Sequence, residues 1–160
     1  MAGGAADRGR SAAPAPFRYH VCMMTRRSRA REVALQLLFQ RDLNPYVIRE
    51  SIEQFVRDRL RDDALVPFCL SLYNGVEANR TIIDERLGAA AANWRVARMA
   101  IVDRNVLRLG AYELLFTPET PPQVALDEAI ELARRFGSAG SPAFVNGVLD
   151  KLRQQAVAAT

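Results

Sequence analysis

The chain has 160 residues, 49% of them apolar, enough to bury one sizeable core and too apolar for a chain disordered throughout. Its net charge is only +4, but residues 1–31 carry seven arginines and one acid, a local +6, whereas residues 32–160 carry 15 basic and 17 acidic groups, a local −2. That asymmetry points to an arm or helix that meets a polyanion, attached to a body that does not.

Residues 1–24 are rich in Ala, Gly, Pro and Arg, show no apolar period and hold the single histidine, His20; they read as a disordered lead. Met23 and Met24 stand directly before the arginine cluster and offer alternative translation starts to Met1, in which case the lead is not translated. From Thr25 the pattern is helical. Ala30, Val33, Ala34, Leu37 and Leu38 form one stripe, with Arg27, Arg31, Glu32, Gln36 and Gln40 off it, which predicts a helix from about Arg26 to Asp42 broken by Asn44-Pro45. Ile48, Ile52, Phe55, Val56 and Leu60 mark a second helix. A third is expected from about Ala64 to Leu87, with Pro67 tolerated only in its first turn.

Residues 88–102 are irregular. Asp103 then reads as an N-cap for a helix, ending near Phe116, that is apolar on nearly all sides, the pattern of a central buried element. Three prolines between Thr117 and Pro122 make a connection. A sixth helix spans about Gln123 to Phe136. Gly137-Ser138-Ala139-Gly140 is a flexible stop, and Ser141 followed by Pro142 reads as an N-cap with proline at the first position of the last helix. No segment alternates with period two, so the fold class is all-α, six to seven helices.

Chemistry is sparse. Cys22 and Cys69 cannot build a disulfide framework or a zinc cluster, and a reducing, cytoplasmic setting is the simpler reading. There is no apolar run of membrane-spanning length and no secretory h-region. Without a nucleophile–base pair, a metal set or a Gly-rich phosphate loop, the chain is not expected to be an enzyme or to hold a cofactor. The run Arg26-Arg27-Ser28-Arg29-Ala30-Arg31 is the sharpest local feature. As a plain solvated helix start it would oppose the helix dipole, at ~0.3–1 kcal/mol per charge. Arginine forks suit phosphates and bases, so RNA or DNA contact is the alternative. Phe68, Phe116 and Trp94 read as packing residues. Phe144, in the first turn of the last helix, is either a buried staple or part of an anion-facing surface.

Taken together, several segments resemble the bacterial transcription antitermination family NusB. They are Arg29-Ala30-Arg31-Glu32 with Ala34 and Gln36; Asp103-Arg104, Leu107-Arg108-Leu109 and Tyr112-Glu113-Leu114; Asp127 to Ala133; and Phe136-Gly137 with Phe144-Val145-Asn146-Gly147-Val148-Leu149-Asp150-Lys151. The resemblance covers about residues 25–155, and the expected domain is 25–156. It implies a non-enzymatic, all-helical RNA-binding protein of two packed helical subdomains. The implied partners are the ribosomal protein NusE, single-stranded boxA-type RNA of nascent ribosomal transcripts, and, through that complex, RNA polymerase and other Nus factors. Carried over by position, the RNA surface is Arg26, Arg27, Arg29, Arg31, Gly137, Phe144 and Asn146, and the protein-partner surface is Phe39 and Asp103. The loop 138–143 lacks the charged residues some relatives carry. Two other readings remain: a helical protein-interaction module, and an RNA-binding domain like that of an rRNA cytosine methyltransferase.

Overall fold

The computed structural model describes residues 16–159, with side chains from Arg26 onward. Seven α-helices follow in order: α1 Pro16–Leu43, α2 Arg49–Leu60, α3 Val66–Ala78, α4 Arg80–Ala90, α5 Ile101–Phe116, α6 Pro122–Phe136 and α7 Ser141–Ala158, with a single 3-10 turn at Val96–Arg98 before α5. There is no strand among the described residues. The all-α expectation holds, at the upper end of the expected helix count.

The apolar run of α5 sits where its composition demands. Residues 105–111 are all buried, and α5 packs against α1, α3, α4, α6 and α7. An N-terminal group (α1 on α2 and α3) and a C-terminal group (α4 to α7) meet on α5. One continuous core runs through both, from Val33 and Leu38 through Leu72, Ile83 and Leu107 to Leu149 and Leu152. Cys69 lies inside it, and burial pushes its thiol up to about 12, so at neutral pH it is an inert packing group.

Four boundaries differ from the sequence reading. Helix α1 begins at Pro16, so residues 16–24 of the expected lead are helical; residues 1–15 lie outside the described part. The expected third helix is two, because Asn79 turns both its backbone N–H (3.1 Å) and its side-chain amide (2.8 Å) onto the Gly75 carbonyl. This saturates that acceptor and ends α3. Asp103 is not an N-cap: α5 starts at Ile101 with Ala100 in the cap position and no side-chain cap bond. In the same way Ser141 is the first helical residue after Gly140 rather than the cap.

Candidate nucleic-acid interface

The arginine cluster is not at a helix N-terminus. It begins nearly three turns into α1, where the dipole penalty has faded, so the cost that made the cluster conspicuous in sequence does not apply. What the helix does is divide the arginines between two faces. Arg31 is 2% exposed. Its Nε donates to both oxygens of Glu113 at 3.1 and 3.0 Å, its Nη2 to Glu113 Oε1 at 2.8 Å, and its Nη1 lies 3.6 Å from Glu128. Arg31 therefore leaves the candidate RNA set; it neutralises a carboxylate on the buried helix. The stripe on α1 is wider than its sequence period suggested, since Leu35, one turn on from Arg31, is also buried.

Arg26, Arg27 and Arg29 stay at the surface. Arg26 donates to Asp62, whose carboxyl this bond pulls below its ordinary value. The Arg27 guanidinium lies 4.9 Å from the centre of the Phe68 ring, a cation–π distance. Arg29 meets Glu32 at 2.7 Å, and the other oxygen of Glu32 meets Arg135 of α6 at 3.2 Å. One largely buried carboxylate thus holds two half-exposed guanidiniums, 106 residues apart in sequence, side by side. Their sum is positive, and their outer edges face water. Ser28 Oγ donates to Glu128 Oε1 at 2.7 Å, a second polar tie between α1 and α6.

Arg134 and Arg135 end α6, so the second basic group outside α1 that the sequence did not reveal comes from the segment just before the glycine loop. Its only sequence signal is two adjacent arginines ahead of Phe136-Gly137. Arg135 also lies 5.1 Å from the Phe136 ring centre. Gly137 closes the turn: a Cβ there would stand 2.5 Å from Ser141 Oγ and 2.7 Å from the Ala133 carbonyl oxygen. Ser141 Oγ accepts the Ser138 N–H at 2.9 Å, which is why its hydroxyl is spent inside the loop. Beyond the loop, Asn146 is exposed, and Phe144 is half-buried against the core with its ring edge-to-face with Trp94 at 5.7 Å. Both readings of Phe144 are compatible with that placement.

Adjoining this cluster through Phe136, Phe39 lines an open apolar groove of about 460 Å³ with Leu35, Leu43, Phe55, Val102 and Phe136. Val102 precedes Asp103 in the first turn of α5. Asp103 Oδ1 is buried without a hydrogen-bond partner among the described residues, in contrast to the rule that buried carboxylate oxygens are satisfied. No group of three or more His, Cys, Asp or Glu able to hold a metal occurs among the described residues, and none of their helices is long and apolar enough to cross a membrane.

Fold and site together define an all-helical binding domain with an arginine-lined face and an adjoining apolar groove. Residues 28–154 match the NusB family model. The transcription antitermination protein NusB of Desulforapulum autotrophicum is 43% identical over 130 residues, 79% of this chain and 90% of that protein. Among solved structures, NusB of T. maritima superposes with a TM-score of 0.72 at 35% identity, covering 81% of this chain and 91% of that one. A crystal structure of the antitermination factors NusB and NusE in complex with dsRNA matches with a TM-score of 0.75 at 25% identity, covering 83% and 99%. The chain belongs to the NusB family of transcription antitermination proteins, a family of RNA-binding factors rather than enzymes.

Proposed function

We propose that this protein pairs with NusE and binds single-stranded boxA-type RNA of nascent ribosomal transcripts, suppressing termination in the cytoplasm through a complex with RNA polymerase and other Nus factors. The observation that carries the reading is the cluster built around Glu32, where Arg29 of α1 and Arg135 of α6 share one carboxylate. Arg26 and Arg27 extend it along α1, and Gly137, Phe144 and Asn146 follow across the α6–α7 loop. Guanidinium edges held this way suit phosphates and flat bases. The solved complex of NusB and NusE with dsRNA supports NusE and an RNA as the kinds of partner.

The apolar groove beside Phe39 is the docking face for NusE in this reading, and Asp103 is its polar anchor. Asp103 follows Val102, which lines the groove, and its buried, unpartnered oxygen is a place for a donor from another chain once the groove is occupied. The test is RNA titration with and without NusE, together with NusE titration of Asp103→Asn. NusE should tighten RNA binding, and Asp103→Asn should weaken NusE binding roughly 10-fold or more, as loss of a charge-assisted bond implies. Unaltered NusE affinity in that variant would remove Asp103 from the interface, and boxA RNA bound no better than a scrambled strand would overturn the choice of RNA.

A further inference from the structure

Trp94 is expected from sequence to pack inside, yet it is 59% exposed. It is not a loosely placed side chain. Its backbone N–H donates to the Ala91 carbonyl at 2.7 Å, closing the turn after α4, and its ring stands at 65° to that of Phe144 with centroids 5.7 Å apart. A large aromatic surface is thus fixed in orientation and left open to water. Arg95 and Arg98 follow it within four residues, both exposed, and neither has a carboxylate partner among the described residues. The Arg98 N–H donates to the Arg95 carbonyl at 2.9 Å, so the short 3-10 turn holds their spacing.

We propose that Trp94, braced by Phe144 and flanked by Arg95 and Arg98, is a base-stacking platform that extends the RNA surface beyond the α6–α7 loop onto the turn before α5. The inference rests on the RNA-binding reading above and adds a site to it. A rigid aromatic face beside unpaired guanidiniums is what a single-stranded nucleic acid engages: the ring takes a base and the arginines take the flanking phosphates. Contact by contact, Trp94 is linked to the arginine pair on Glu32. Arg29 and Arg135 share Glu32, Arg135 reaches Phe136, Gly137 packs on Ser141, and Phe144 of the following turn meets Trp94. A double helix would not serve, since its bases are already stacked; the platform selects unpaired RNA.

Trp94 is the only tryptophan of the chain, so its emission reports this site alone. The full chain would be titrated with dye-labelled single-stranded boxA RNA, reading dye anisotropy and tryptophan emission together, and then with a duplex of the same sequence. Stacking should quench Trp94 in step with anisotropy for the single strand and not for the duplex. Trp94→Ala should weaken single-strand binding about 5- to 100-fold, the range of one base–aromatic stack. Trp94→Phe should stay within about 3-fold. Arg95→Gln with Arg98→Gln should reduce the salt slope by about 1.4, at roughly 0.7 per phosphate contact. Should Trp94→Ala unfold, Trp94→Phe and the arginine pair decide the matter. RNA binding that leaves the emission unchanged, with all these variants binding like the parent, overturns the platform and leaves the functional reading intact. A quench produced by NusE alone and not by RNA overturns it in favour of a protein contact. No anisotropy change with any RNA, with or without NusE, overturns both.

Discussion

Arg31 and Arg29 are two residues apart on one helix and have opposite fates. Arg29 keeps a half-exposed guanidinium on Glu32, whereas Arg31 is enclosed with Glu113 and Glu128. A buried arginine fork on a carboxylate offsets its own desolvation only while both partners remain. Arg31→Gln should therefore destabilise the fold by about 3–5 kcal/mol, because Glu113 is left charged and buried. Arg29→Gln should cost less than about 1 kcal/mol. Thermal or urea melts of the two variants separate them, and equal stability would mean that the Arg31–Glu113 pair is not the lock it looks to be. The residue that announces the pair in sequence is Glu113, a carboxylate within the apolar run of the central helix, which needs a cation from elsewhere.

Between elements, polar and steric fits hold α1 to its neighbours. Asp42, near the end of α1, accepts from Arg104 at 2.9 Å and from Asn105 at 3.0 Å on α5, from Arg80 on α4, and lies 3.3 Å from Arg108. Burial pushes the Asp42 carboxyl up, but the bonds from Arg104, Asn105 and Arg80 and the charge of Arg108 outweigh it, bringing the group from its ordinary 3.8 to about 2. A carboxyl held low in the folded state contributes stability that is complete above its unfolded value and is lost as pH falls through its folded value. The window is therefore about pH 4 down to 2, and the contribution is about 2 kcal/mol. Denaturant unfolding across that window should show the parent losing about 2 kcal/mol more than Asp42→Asn, and identical pH profiles would contradict it.

Helices α3 and α5 meet by another device. A Cβ on Gly75 would fall within the ring of Tyr112, so their approach requires the missing side chain at that position. Gly75→Ala should cost about 1–3 kcal/mol through overpacking. In a Tyr112→Leu background, which clears the ring, the same alanine should cost little. A full penalty in both backgrounds, read from melting curves, would place the cause in the backbone rather than in the contact.

At the scale of the whole molecule, the arginine face exists because α1 and α6 lie together, and in the proposed RNA-binding role its charge should be readable as a salt dependence. If Arg27, Arg29, Arg134 and Arg135 each neutralise one phosphate, together they should contribute about −3 to the slope of log affinity against log salt. Replacing Arg27, Arg29 and Arg135 by Gln should make the slope shallower by about 2 and lower affinity at low salt, with stability changed only slightly since these pairs are half-exposed. A slope unchanged by the triple replacement would move the electrostatic site elsewhere.

Periodicity and punctuation made most of the helices legible. The stripe from Ala30 to Leu38, the break at Asn44-Pro45, the all-round apolar pattern of Val106 to Leu115 and the Gly-Ser stop after Phe136 each act through local chemistry within a turn or two, which a chain carries in its order of residues. The motifs that identify the family are legible for the same reason, and so is the outward placement of Arg27. What no local pattern contains is partnership across the fold. That Arg31 turns inward to Glu113, that Arg135 joins Arg29 on Glu32, that Asp42 gathers three arginines, and that Trp94 is braced by Phe144 yet open to water depend on segments tens of residues apart meeting on α5 and α6. A charged side chain near the edge of an apolar stripe can point to water or to a buried counter-charge with the same spacing, and only the packing of the helices supplies the counter-charge that decides between them.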